Sequence, residues 1–133
     1  MDRAVVIVVV VTTGWASQYA PGVMERVVAN RQEWGQLPSA LPPMDGFIAV
    51  VDCAHLGEVW LLRPAGLGPW ERFLVADCAG PQLRPDGLTG GEWMERNGIF
   101  AEVGFPTAER WGVVGRGVMV EWGERAQWRA QTT

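Results

Sequence analysis

Residues 74–80 read LVADCAG, an apolar run that stops on an acidic residue and a cysteine. Its first three residues are typical of a buried strand, because branched and apolar side chains pack well on a pleated surface. The segment 79–91 that follows is rich in Gly and Pro and is typical of a loop. A similar phrase, IAVVDCAHLG, stands at residues 48–57. The pattern therefore predicts buried strands that end beside an Asp-Cys step.

Short apolar runs separated by turn residues continue along most of the chain. Its 133 residues include 17 Gly and 9 Pro, and the length fits one domain with a real core. This composition favours an all-β fold, a small barrel or a sandwich, over a helical bundle. Strands are predicted at residues 47–52, 58–63, 71–76, 99–103 and 118–122. Short helices are predicted at residues 23–33 (or an irregular segment there), 92–98 and 106–111.

The charge pattern excludes several classes of function. The formal net charge is −4, all eleven basic residues are Arg, and none of them form a large cluster. A sequence-independent grip on nucleic acid needs a positive face, so we expect no nucleic-acid partner. For the same reason, we do not expect an anionic membrane surface as a partner. Motifs typical of nucleotide enzymes, serine hydrolases and metal sites are missing from the sequence, so no cofactor and no metal are expected.

The two cysteines, Cys53 and Cys78, leave two alternatives open. They could form one disulfide in an oxidising compartment, or they could be two buried free thiols. A structural zinc site would need His55 and a carboxylate as additional ligands, which makes it the weakest alternative.

The N-terminal segment 1–13 contains an unbroken apolar run, AVVIVVVV, at residues 4–11. The run is too short to span a bilayer as a helix. Its length fits a signal-peptide core, and its composition fits a first buried strand. The sequence does not decide between these two, and we expect no stable membrane insertion in either case.

Six motifs stand in one order along the chain: GWASQY (14–19), Ala29-Asn30, LGEVWLL (56–62), LVADCAGP (74–81), EVGFPTAERWG (102–112) and GRGVMVEW (115–122). Together they resemble the motifs of the RlpA-like (rare lipoprotein A) double-psi β-barrel family, which is related in fold to expansin and barwin domains. The resemblance covers residues 14–122 and leaves residues 123–133 as a polar C-terminal tail. Two positions differ from the family pattern: Glu102 replaces an Asp, and Gly104 replaces a Ser.

The resemblance implies a fold, an activity and a location. The fold would be an all-β, six-stranded double-psi β-barrel with short helices. The activity would be that of a cofactor-free peptidoglycan lytic transglycosylase, and the protein would act on a polysaccharide outside the cell or in the cell envelope. The alternative is a non-catalytic, expansin-like module that binds glycan or serves as an interaction domain. Neither the residues nor the resemblance gives the oligomeric state.

Three residues are candidates for catalysis. Asp77, at the end of its strand, would be the acid/base, because a partly buried carboxyl can donate a proton to a glycosidic oxygen. Glu102 would tune the pKa of Asp77 or stabilise positive charge on the sugar. His55, the single histidine, could shuttle protons but lies directly before Leu56, closer than in the family. Ordinary structural roles compete with each: a turn cap for Asp77, a solvent-facing strand position for Glu102 and a loop hydrogen bond for His55.

Three further residues are candidates for substrate binding. Tyr19 and Trp15 lie in the motif that lines the family's groove, and aromatic faces stack on sugar rings. Asn30 could bond a sugar hydroxyl or cap a turn. The chain has eight Trp, and for those in apolar periodic positions, such as Trp60 and Trp111, core packing is the expected role.

Overall fold

The computed structural model describes residues 3–6, 12–123 and 128–131. The strands are β1 (Arg3–Val6), β2 (Thr12–Gln18), β3 (Gly46–Val50), β4 (Val59–Pro64), β5 (Glu71–Cys78), β6 (Ile99–Val103), β7 (Val118–Gly123) and β8 (Trp128–Gln131). The α-helices are α1 (Val23–Glu33), α2 (Gly90–Arg96) and α3 (Phe105–Trp111), and one 3-10 turn spans Cys53–His55.

Six strands close into a ring in the order β2–β6–β3–β5–β4–β7. The pairs β2–β6 and β3–β5 are parallel, and the other four neighbours, including β7–β2, are antiparallel. Closure pairs every barrel strand on both sides and removes the exposed edges of an open sheet. The predicted barrel-like, mostly β fold with short helices is confirmed at this level.

The two terminal strands lie outside the barrel ring. β1 and β8 form a two-stranded antiparallel sheet in which Arg3 is opposite Gln131 and Val6 is opposite Trp128. The polar tail therefore contains a strand that its composition did not predict. Residues 7–11 of the apolar run lie outside the described residues, so the choice between strand and export signal stays open there.

The helices follow local signals in the sequence. α1 has the predicted bounds, and α3 begins with a proline in its first turn, where a missing N–H has no cost. α2 begins two residues before the prediction, because Thr89 and Glu92 form a capping box in which each side chain bonds the other's backbone N–H.

Strand alternation divides the apolar residues of β5 between two clusters. Phe73 and Val75 point into the barrel and belong to its interior core. Leu74 points to the outer face, where it packs in a second cluster with Met24 and Val28 of α1. α1 therefore covers the outer face of the barrel beside β5.

A bulge in β5 decides where Asp77 points. Ile48 pairs with Val75, and the next residue, Ala49, pairs with Asp77, so Ala76 is an extra residue in β5. Regular alternation would place Asp77 on the same face as Val75, inside the barrel. The extra residue instead brings Asp77 to the outer face beside Ala49, under α1.

Candidate active site

Polar side chains from neighbouring strands form a row on this outer face. Ser17 pairs with Glu102, Glu102 pairs with Ala49, and Ala49 pairs with Asp77, so the row crosses β2, β6, β3 and β5. Adjacent strands are about 4.8 Å apart, which puts the backbones of Glu102 and Asp77 roughly 10 Å from each other. Both carboxyls line one cleft, so the barrel brings together the two acids named from the sequence.

Asp77 is bound by two donors from different elements. Arg31 of α1 donates to Oδ1 from Nη2 at 2.5 Å and from Nε at 3.2 Å. Tyr19 donates its hydroxyl proton to Oδ2 at 2.6 Å. The side chains of Arg31 and Asp77 are each only 12% exposed. These charge-assisted bonds stabilise the negative charge of Asp77 and connect α1 to β5.

Tyr19 is a permanent donor in this network. Burial, reinforced by the bond to Asp77 and its charge, raises the pKa of the Tyr19 hydroxyl far above its ordinary value. The phenol therefore keeps its proton at every physiological pH. Tyr19, predicted as a substrate binder, also lines the cleft and orients Asp77.

Glu102 has a different environment. Its Oε2 accepts a hydrogen bond from the Ser17 hydroxyl at 3.0 Å, and the side chain is half-buried. Burial is the main cause that raises the pKa of Glu102 above its ordinary value, and the Asp77 charge adds to it. The Ser17 bond and the Arg84 charge act in the opposite direction, but the net shift is upward. Glu102 thus holds a proton more readily than an exposed glutamate does.

The cleft has a volume of about 310 Å³ and is walled by the loop that follows β5 and by α2. On this wall the Arg84 guanidinium lies over the ring of Trp93, 4.6 Å from its centroid. The lining residues are Tyr19, Asp77, Cys78, Ala79, Gln82, Leu83, Arg84, Pro85, Gly90, Trp93, Met94 and Glu102.

Two glycines let this wall approach the barrel closely. A Cβ on Gly80 would lie 2.6 Å from the carbonyl oxygen of Val51, and a Cβ on Gly90 would overlap the carbonyl oxygen of Ala79. Both contacts are with backbone, which cannot move aside as a flexible side chain does. The wall therefore requires glycine at both positions.

The structure places His55 in a different cavity, away from this cleft. Its Nδ1 lies 3.0 Å from Oε1 of Glu58, and its ring meets the ring of Trp60 edge-on at 5.2 Å between centroids. The expectation that His55 stands beside Asp77 and Glu102 is therefore not met. The short loop before β4 places His55 beside Glu58 and Trp60 instead.

The two other predicted binders also lie outside the cleft lining. Trp15 is 46% exposed and shares the outer face of β2 with Ser17, next to Gly117. Asn30 is exposed on α1, and it is the next residue, Arg31, that reaches Asp77. Only Trp15 therefore extends the same polar face, as an accessible aromatic surface.

Cys53 and Cys78 are joined by a disulfide across a sequence separation of 25 residues. The bond ties the 3-10 turn after β3 to the last residue of β5. It therefore stands directly beside Asp77 and forms part of the cleft wall. Of the two alternatives that the sequence left open, the structure has the disulfide.

Sequence reasoning missed three contributors to the site: Arg31, Ser17 and Arg84. Ser17 stands inside a quoted motif, between two predicted binders, and Arg31 follows directly after another motif, next to Asn30. Their partners are 46 and 85 residues away, so local pattern gave no sign of these contacts. Arg84 lies in the loop after β5, where composition indicated turns and no function.

Comparisons with known proteins give no family: no family model and no curated protein matches this chain. In the described part of the chain, no three His, Cys, Asp or Glu side chains are grouped to hold a metal ion. No helix among the described residues has the length and hydrophobicity needed to cross a membrane. Function is therefore argued from the cleft itself.

Proposed function

We propose that this protein cleaves glycan strands in the manner of a lytic transglycosylase, with Glu102 as the acid and base. One observation carries the proposal. Two carboxyls face the same cleft in opposed environments, Asp77 bound to Arg31 and Glu102 desolvated with a raised pKa. Pairs of acids whose environments differ in this way divide the roles of proton donor and charge stabiliser.

The reaction balances with these groups alone. Protonated Glu102 gives its proton to the glycosidic oxygen while the bond from that oxygen to the anomeric carbon breaks. A hydroxyl of the same sugar then bonds to the anomeric carbon and returns its proton to Glu102. The Asp77 carboxylate stabilises positive charge on the sugar between these steps. The mechanism uses no water and no cofactor.

This proposal exchanges the roles expected from the sequence, where Asp77 was the acid and Glu102 the modulator. Two bonds from Arg31 and one from Tyr19 occupy both oxygens of Asp77 as acceptors. A carboxylate in that state is poorly placed to carry a proton to a substrate. Glu102 accepts only one bond, from a neutral hydroxyl, and is the better donor.

The substrate class and the family also belong to the proposal. We infer a double-psi β-barrel of the RlpA-like type, acting on peptidoglycan or a related polysaccharide outside the cell or in the envelope. The six motifs support this inference, as does a six-stranded ring that mixes two parallel pairs with antiparallel ones. A disulfide is compatible with an extracellular location. Trp93 in the cleft and exposed Trp15 are the aromatic surfaces on which sugar rings would stack.

The test is a digest of purified peptidoglycan, read by mass spectrometry for anhydro-sugar ends. Wild type is compared with Glu102→Gln and Asp77→Asn. We expect Glu102→Gln to lower the rate about 10²–10⁴-fold, the usual contribution of a positioned acid. Asp77→Asn should lower it less, because the proton donor remains.

The control is Glu109→Gln, which removes the same charge from an exposed position on α3. It should match wild type. If wild type releases no anhydro products although it is captured by the glycan, the catalytic proposal is wrong. If Asp77→Asn abolishes the products and Glu102→Gln does not, Asp77 is the acid, as expected from the sequence.

A second candidate is a non-catalytic glycan-binding module. The observation in its favour is that Asp77 connects α1 to the barrel through Arg31, which is a sufficient structural reason for its presence. In that case Glu102→Gln would leave glycan capture unchanged, whereas Trp15→Ala and Trp93→Ala would weaken it.

A further inference from the structure

A second cavity, of about 280 Å³, opens between the loop after β3, the end of α2 and strands β4, β6 and β7. It shares no lining residue with the Asp77 cleft, and the proposed glycan reaction does not use it. We call it the aromatic cavity. It is lined by Val50, Val51, Asp52, His55, Trp60, Glu95, Ile99, Phe100 and Trp122.

The rings of the aromatic cavity are held in fixed orientations. Phe100 and Trp122 are stacked, with 3.8 Å between their centroids. Gly14 of β2 lies against this pair, and a Cβ there would come within 3.0 Å of Phe100. On the other side, Oε1 of Glu58 lies 3.0 Å from both the indole N–H of Trp60 and Nδ1 of His55. One carboxylate therefore orients both the indole and the imidazole.

The remaining charges of the aromatic cavity are negative. Asp52 and Glu95 are exposed at its rim, and no Arg stands among its lining residues. Asp52 uses one oxygen to accept from the backbone N–H of Ala54 at 2.9 Å. Within the described residues the Glu95 carboxylate has no side-chain partner. The Asp77 cleft differs in this respect, because Arg31 and Arg84 accompany its acids.

We propose that the aromatic cavity binds the ammonium or guanidinium group of a basic peptide side chain. Aromatic faces attract cations through their quadrupole, and the attraction strengthens as water is removed. Carboxylates at the rim complement the charge of such a group and raise its local concentration. A neutral sugar ring would use the aromatic faces and donate hydroxyl hydrogen bonds to the carboxylates, but it would leave their negative charge uncompensated, so a cation is the better match.

The experiment measures the indole N–H signals of Trp60 and Trp122 by ¹⁵N NMR in the full chain. The probe is Nα-acetyl-lysine methylamide, and its uncharged match is Nα-acetyl-norleucine methylamide. Methyl glucoside provides the sugar arm. We expect the lysine compound to shift both signals in a saturable way that weakens with added salt, and the other two compounds to leave them unchanged.

Two substitutions test the charge without changing shape. Glu95→Gln combined with Asp52→Asn should weaken lysine binding about fivefold or more, as expected for loss of two exposed charges. Asn still accepts from the Ala54 backbone, so the turn is kept. The control pair, Glu33→Gln with Glu109→Gln, removes equal charge from exposed helix positions and should bind like wild type.

Three outcomes would overturn the proposal. The first is that the lysine compound produces no saturable shift, and the second is that norleucine shifts the signals equally. The third is that methyl glucoside binds and the lysine compound does not, which would make the cavity a sugar subsite. Because none of these readouts involves glycan cleavage, the result is independent of the proposed reaction.

Discussion

Asp52 and Asp77 begin the same dipeptide, Asp-Cys, and the disulfide joins the two cysteines that follow them. The two acids nevertheless have opposite environments. Asp52 is exposed after the end of β3 and caps a 3-10 turn through the N–H of Ala54. Asp77 lies within β5, buried and ion-paired to Arg31.

The difference shows what decides the state of a carboxylate in this fold. Neighbours along the chain do not set it, because both acids follow apolar residues and precede the same Cys-Ala pair. The bulge in β5 sets it, since the extra residue Ala76 turns Asp77 toward α1. The partner strand and the covering helix thus determine which Asp can serve a site, and the following predictions test this in order of size.

Removing the disulfide would separate the two Asp-Cys steps and should have the largest effect. For a separation of 25 residues, Cys53→Ala with Cys78→Ala should lower the free energy of unfolding by about 3.5 kcal/mol on the chain-entropy model. Urea unfolding of both proteins without reductant gives the value. Wild type with reductant should reproduce the loss, and a change below about 1 kcal/mol would contradict the prediction.

Removing the partner of Asp77 should have the next largest effect. Arg31→Leu leaves a buried carboxylate without its counter-ion and should cost about 3 kcal/mol in urea unfolding. Arg26→Leu, at an exposed position on the same helix, should change stability by less than about 0.5 kcal/mol. Adding Asp77→Asn to Arg31→Leu should recover part of the loss. Equal losses in the single and double variants would mean that the charge of Asp77 is not the cause.

The raised pKa of Glu102 predicts a smaller effect, whose size depends on pH. The folded state binds this proton more tightly than the unfolded chain, so the stabilisation is complete below the ordinary value of 4.5 and is lost as pH rises through the folded pKa. Glu102→Gln should therefore be more stable than wild type at about pH 7 and equal to it at about pH 4. Urea unfolding at both pH values checks this, and a difference that grows toward low pH would contradict it.

The same reasoning predicts a shift in activity. Ser17→Ala removes a hydrogen bond that favours the charged form of Glu102 and so raises the pKa of Glu102 further. Because the acid must be protonated to act, the loss of glycan cleavage at high pH should move to higher pH in this variant. If the pH profile of glycan cleavage is unchanged in Ser17→Ala, Glu102 is not the acid.

Substitutions of the exposed acid, Asp52, should have the smallest effect on stability. Asp52→Ala removes a cap from a short turn and should cost about 1 kcal/mol or less, and Asp52→Asn should cost only a few tenths because the amide still accepts the bond. Thermal or urea unfolding resolves the two variants. If Asp52→Ala lowers the free energy of unfolding as much as Arg31→Leu does, the structural difference between exposed Asp52 and buried Asp77 has no effect on stability.

Elements that depend on local signals could be predicted from the sequence. α1 and β6 have the predicted bounds, because an apolar period and flanking glycines mark them. β2 was not predicted as a strand, since its small and polar residues become a strand only through pairing with β6 and β7. β5 was predicted to stop at Ala76, but parallel pairing with β3 carries it on to Cys78.

The candidate site divides in the same way. Asp77, Glu102 and Tyr19 were named from motif order, and all three line one cleft. Arg31 was missed, and His55 was expected beside Asp77 but lines a different cavity. Both positions depend on contacts between segments that are far apart in the sequence. The bulge at Ala76 and the Cys53–Cys78 disulfide decide these contacts, and no local sequence pattern predicts the bulge.

The cleft wall has a consequence for how this molecule could diversify. Gly80 and Gly90 fix the two ends of the wall, because any side chain at either position would overlap backbone. Between them, Gln82, Leu83 and Pro85 are exposed and carry no such restriction. A library randomised at residues 82, 83 and 85 should therefore yield many folded members, whereas one randomised at 80 and 90 should return glycine. Lineages could thus exchange the contents of this loop, and acquire new ligands, while the barrel stays constant.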